Sequence, residues 1–157
     1  MAQRSPDGEP PAPTEQQVQE DLIRLDAYRS QLNGLVQQHQ ILVASRQDHL
    51  RARESLEGID RATSSDEILL PLGGEAYVRG RVHRESPVLV GIGSGIATEM
   101  NRAQAAEVIA QRITRIEQAV QDIESQMGAV DERIQLLSRR LDAASRSARA
   151  PSDVGRD

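Results

Sequence analysis

The sequence has 157 residues and is mildly acidic, with 19 arginines against 24 acidic residues and a formal net charge of -5. Two tyrosines, with no phenylalanine or tryptophan, leave few of the large side chains that dominate a compact globular core. The absence of cysteine and lysine excludes disulfides, thiolate metal sites, cysteine nucleophiles, a Walker lysine and a lysine Schiff base.

Acidic and basic residues are interspersed rather than blocked, so the chain shows no electrostatic footprint for nucleic acid. The N-terminus MAQRSPDGEPPAPTEQQ lacks the apolar core of a signal peptide, and no apolar run approaches the roughly 20 residues that span a bilayer. These features point to a soluble cytoplasmic protein with no membrane partner. Apolar content comes from Leu, Ile, Val and Ala, and Gln, Glu, Asp and Arg fill the positions between, a mixture that favours long helices.

Residues 1–14 carry four of the seven prolines and read as a disordered tail. Thr14 with Gln17 three residues later forms the pattern of a capping box, which opens a helix predicted over 15–61. Leu25, Tyr28, Leu32, Leu35, His39, Leu42, His49 and Leu56 fall on three- and four-residue steps or their multiples, making a heptad seam. Val36, Val43 and Leu50 widen its apolar face, whereas Arg46 and Arg53 interrupt the seam itself.

The periodicity then changes to short β-branched segments, predicted as strands over 68–72, 76–82, 88–92 and 96–100 and arranged in two hairpins. In the second of these strands Ala76, Val78, Gly80 and Val82 share one face and Tyr77, Arg79 and Arg81 the other, so one side should be buried and one wet. The run VLVGIGSGIA, Val88–Ala97, superficially resembles a phosphate loop. A nucleotide site would require a helix after the glycines and a parallel βαβ setting. Gly93-Ser94-Gly95 reads better as a hairpin turn, where glycine supplies positive φ.

Asn101 and Gln104 repeat the capping pattern at the start of a second helix, predicted over 102–148 and followed by a disordered tail at 149–157. Ile113, Ile116, Val120, Ile123, Met127, Val130, Ile134, Leu137 and Leu141 alternate by three and four without interruption. Glu117, Glu124 and Asp131 at e, with Arg112, Arg133 and Arg140 at g, supply the flanking charges of a coiled coil.

Two predicted helices of nearly equal length, each about 70 Å at 1.5 Å per residue, imply an antiparallel coiled-coil hairpin with the strands at its base. The fold class is therefore α+β, mainly α. Isolated two-stranded hairpins are marginal and expose unpaired edges, so the strands should pair with other subunits on a shared β platform. Ile68, Leu70, Val78, Val82, Val88, Val90, Ile92 and Ile96 are the candidate assembly residues.

The order long helix, four short strands, long helix resembles the prefoldin α-class subunit over about residues 18–145. ILLPLGGEAYVRGRV (Ile68–Val82) and VLVGIGSGIATEMNRAQAAEVIAQRI (Val88–Ile113) are the most specific local matches, and four strands favour the α over the β class. The resemblance implies an archaeal-type co-chaperone in which two α and four β subunits form a double β-barrel carrying six arms. It also implies an ATP-independent holdase that takes unfolded polypeptide between the arm tips and passes it to a group II chaperonin, with no enzymatic activity and no cofactor.

Within that reading, Ile23 at f and Leu136 at c lie off the seam and at one height, near the chain ends. With Val18, Leu22, Leu137 and Leu141 they form the candidate client-binding group, because exposed apolar clusters often mark interaction sites. His39 is read as a seam residue that sets register, and the spacing of the three histidines fits no recognised metal motif. Ser and Asp residues form no triad-like pattern. A coiled-coil scaffold without client activity is the alternative from a different functional class.

Overall fold

A computed structural model describes residues 14–61, 67–83 and 85–149. Helix α1 spans Glu15–Arg61, strands β1 Ile68–Gly73, β2 Ala76–Gly80, β3 Val88–Gly93 and β4 Ile96–Met100 follow, and helix α2 spans Arg102–Arg149. The expected tails, apart from Thr14 and Arg149, lie outside the described residues.

Both helices begin with reciprocal capping boxes. The Thr14 amide donates to Gln17 Oε1 at 3.0 Å, and the Gln17 amide donates back to Thr14 Oγ1 at 3.4 Å. At α2 the Asn101 amide donates to Gln104 Oε1 at 3.3 Å and the Gln104 amide to Asn101 Oδ1 at 2.9 Å. Each box satisfies donors that have no partner inside the first helical turn.

The strands form two separate antiparallel pairs, β1 with β2 and β3 with β4. Their ladders are copies of one another at an offset of twenty residues. Ile68 pairs with Gly80 and Val88 with Met100; Pro71 pairs with Tyr77 and Gly91 with Ala97; both registers shift before Gly73 and Gly93. The turns repeat as well: Gly73, Gly74 and Glu75 have φ of 93°, 58° and 61°, and Gly93, Ser94 and Gly95 have 107°, 51° and 75°. Two successive left-handed residues make the reversal whose twist suits a tight hairpin. VLVGIGSGIA thus turns into an antiparallel strand rather than a helix, and the phosphate-loop geometry is absent.

β2 stops at Gly80, two residues before the predicted end. Its partner β1 starts at Ile68, opposite Gly80, so Arg81 and Val82 have no rung to join. The expected buried side of this hairpin is also not formed within the chain. No residue of β1 or β2 is buried, because the apolar cluster of the neighbouring helices draws in only the other hairpin.

Residues 39–122 form one compact unit, and residues up to 38 together with those from 123 form another. In the first, Leu56 of α1, Val90 of β3 and Ala105, Ile109 and Ile113 of α2 make a core, with Val88 and Met100 packed on it. Ala105 is 0% exposed, and a small side chain there lets the hairpin approach the helix closely. In the second, Leu25, Leu35, Val130 and Leu137 are buried seam residues. The seam arginines behave differently from leucines: Arg53 is half-exposed and reaches Glu57 at 3.9 Å, while Arg46 Nε is buried without a hydrogen-bond partner.

Gly93, at φ 107°, occupies backbone that side chains with a Cβ rarely adopt. Gly93→Ala should destabilise the β3–β4 hairpin by about 1–3 kcal/mol. Faster amide exchange in β3 and β4, with α2 helicity retained, is the expected result.

Candidate interaction surfaces

In the unit that contains both helix ends, the seam admits one charge. Asp21 sits one heptad step before Tyr28 and is 6% exposed. Its carboxylate faces Arg140 at 3.4 Å across the helix pair and Arg24 at 3.9 Å on its own helix. One heptad further along α1 and one back along α2, the Arg133 guanidinium lies 5.6 Å from the Tyr28 ring centroid. Matching steps of seven in opposite directions fix an antiparallel register, in which Ile23 is level with Ser138 and Leu136 with Leu25. Apolar spacing alone does not mark Asp21, which lies on the seam extended one heptad towards the N-terminus from Tyr28.

The six client-contact candidates divide by this geometry. Leu137 is buried and Val18 and Leu141 are half-buried, all three committed to the seam. Leu22, Ile23 and Leu136 are exposed at 49%, 66% and 56%. Leu136 stands three residues after Arg133 and four before Arg140, hence on the arginine flank of α2. Leu22 and Ile23 are displaced from Asp21 and Arg24 towards the opposite flank and back of α1. The three exposed side chains therefore occupy separate faces instead of one patch. Ile41, 69% exposed in the other unit, is a further uncovered apolar residue that the periodicity did not single out.

The assembly candidates divide likewise. Val90 is 6% exposed and Val88 half-buried, because both pack on their own helices. Ile68 is half-buried; Leu70, Val78, Ile92 and Ile96 are exposed, and Val82 is exposed beyond the end of β2. Leu69, Leu72, Tyr77 and Leu89 add exposed apolar area of at least 61% each. The β3–β4 hairpin is tied to α2 through Arg112, whose guanidinium donates to the Gly91 carbonyl at 2.6 Å. Among the described residues no group of His, Asp or Glu could hold a metal ion, and His49 Nδ1 lies 2.8 Å from the Ser45 carbonyl.

The family model for the prefoldin subunit matches residues 28–147, which takes in most of both helices and all four strands. The chain belongs to the prefoldin family. Prefoldin subunit alpha of Methanoculleus marisnigri is 30% identical over 133 residues, covering 85% of this chain and 89% of that protein. Prefoldin subunit alpha of Methanoregula boonei is 30% identical over 131 residues, covering 83% and 84%. Among solved structures, filamentous PFD from Methanocaldococcus jannaschii aligns with a TM-score of 0.63 at 21% identity, over 77% of this chain and 98% of that one. The prefoldin beta subunit from Thermococcus strain KS-1 aligns at 0.56 and 18% identity, over 90% and 98%.

Membership makes this chain a chaperone subunit of a family that acts as oligomers of prefoldin subunits. The arrangement of two long helices with β-hairpins between them matches the fold of those prefoldin structures, and no helix among the described residues is long and apolar enough to cross a membrane.

A buried carboxylate in a prefoldin seam costs desolvation that its ion pairs only partly offset. Asp21→Leu should therefore raise the melting temperature of the helix pair, with a gain of about 1 kcal/mol or more. Asp21→Ala, which like Leu removes the carboxylate from half-exposed Arg140 but leaves a gap in the seam, should lower it; circular dichroism melts distinguish the two.

Proposed function

We propose that this prefoldin chain is the alpha-class subunit of a cytoplasmic, ATP-independent holdase. It joins beta-class subunits, in the ratio of two to four, through its strands, binds unfolded polypeptide near the helix ends and yields it to a group II chaperonin. The observation that carries the reading is the exposure of Leu22, Ile23 and Leu136 on helix ends otherwise covered by charge and Gln. Apolar side chains kept in water on a family of chaperone subunits are suited to the apolar segments that only an unfolded chain displays.

Because these side chains lie on separate faces, each is a weak contact by itself. Binding strength then comes from several arms holding one client at high effective concentration. Detachment proceeds contact by contact, so release needs no nucleotide.

Ile23→Ser and Leu136→Ser test this in the assembled complex. Each removes a contact worth about 1.5–3 kcal/mol when covered. Suppression of aggregation of a denatured protein should fall for each variant, and the losses should add in the double variant, as for sites without shared partners. Full suppression by the double variant, with assembly intact, would reject the helix ends as the client site.

A further inference from the structure

Three glycines lie inside the helices, Gly34 and Gly58 in α1 and Gly128 in α2. None has positive φ, and a Cβ added to any of them would meet nothing within 4 Å. Neither packing nor backbone conformation requires glycine at these positions, in contrast to Gly93. What remains is the effect on the helix itself, where glycine is about 5-fold less favourable than alanine at each site.

Two of the three coincide in height. Six residues on from Tyr28 and six back from Arg133, Gly34 stands level with Met127, the neighbour of Gly128. The same cross-section lacks other bracing. α1 has no acidic residue between Asp26 and Asp48, and α2 has no charged residue between Glu124 and Asp131. No i,i+3 or i,i+4 ion pair can therefore span either glycine. Asn33 and Ser125 add weak helix formers nearby. Both glycines are exposed, so water reaches the backbone there, and helices bend where it enters their hydrogen-bond ladder. The seam at this height is able to refit: Leu35 and Val130 are buried, and half-buried Met127 has an unbranched side chain that adapts to a changed facing surface.

We infer that Gly34 and Gly128 form one hinge through both helices, about which the helix ends swing as a single body. Beyond the hinge the pair is held in register by Asp21 with Arg140 and by Arg133 over Tyr28, so the two ends move together. Leu22, Ile23 and Leu136 are carried on that body. The use of the motion rests on the proposed function. Side chains on separate faces of a straight helix pair offer a client one fixed spacing, whereas a swinging end varies it. Gly58 stands alone, because α2 has no second glycine, and it serves as the control.

Hydrogen exchange of the full chain reads the hinge without a client. Protection over residues 31–38 and 125–132 should be lower than over 40–47 and 113–120. Gly34→Ala and Gly128→Ala place a methyl group in open space and so keep the fold. Each should raise protection about 5-fold in both segments, its own and the one on the facing helix, and the double variant about 25-fold. Gly58→Ala should leave both segments as in wild type. Protection that rises only in the substituted helix would make the glycines two independent weak points and overturn the inference. Wild-type protection equal to that of the flanking turns would do the same.

The consequence for clients is read separately in the assembled complex. Against denatured proteins of graded size, the double variant should lose suppression of aggregation for part of the series, while Gly58→Ala keeps all of it. Retention of the whole series by the double variant would overturn the role of the hinge in holding clients. A wild-type complex that holds no client would instead reject the proposed function and leave the exchange result to decide the hinge.

Discussion

The helix pair exists because leucine, isoleucine and valine recur every three or four residues on two helices and leave water only by facing each other. Each well-buried seam residue, such as Leu25, Leu56, Ile113 or Val130, contributes about 1.5–3 kcal/mol. No aromatic cluster supplements them, so the seam has to be long. Its period also dictates which side chains stay outside: positions c and f cannot be covered by a two-helix pair, and Leu136 and Ile23 stand there. The same rule that stabilises the helix pair thus leaves these apolar groups in water, where the proposed function places client contacts. Asp21 departs from this rule. With Tyr28 under Arg133 it marks the register, because a slip of one heptad would bring Arg133 to Asp21 but set Gln126 against Tyr28, a discrimination that a run of leucines lacks.

Where the helices meet the strands, the two copies of the hairpin have different fates. Val90 enters the core with Leu56, Ala105, Ile109 and Ile113, and Arg112 holds Gly91, so β3–β4 is part of its own chain's fold. β1–β2 has neither anchor. Its leucines and Tyr77 are exposed, and Glu67 pairs with arginines of the same hairpin segment, Arg79 at 3.6 Å and Arg81 at 3.5 Å. A two-stranded ribbon without a covered face is marginal in water. Joining a larger sheet would supply both the missing face and the missing rungs, linking the stability of this segment to assembly.

The architecture was legible because its signals are local and periodic. Thr14–Gln17 and Asn101–Gln104 mark helix starts by side chains that reach only three residues, and the α2 seam repeats without a gap. Burial of Asp21 was not legible, because a carboxylate breaks the apolar spacing that marks the first seam from Leu25 onward. The twenty-residue hairpin copy was hidden by different side chains at equivalent positions: Pro71 for Gly91, Glu75 for Gly95, Tyr77 for Ala97. Burial within the hairpins was legible only in part, since Val78 and Val90 have the same pattern in sequence but only Val90 finds helices to pack on. Which flank of the helix pair carries Leu136 required the Arg133 and Arg140 contacts, which no spacing rule supplies.

The central claim is that this chain is completed by other prefoldin subunits through its strands. Native mass spectrometry of the chain mixed with a beta-class subunit tests it most directly. The account predicts a six-subunit species containing two copies of this chain. A spectrum in which this chain remains monomeric beside folded beta-class subunits would contradict it.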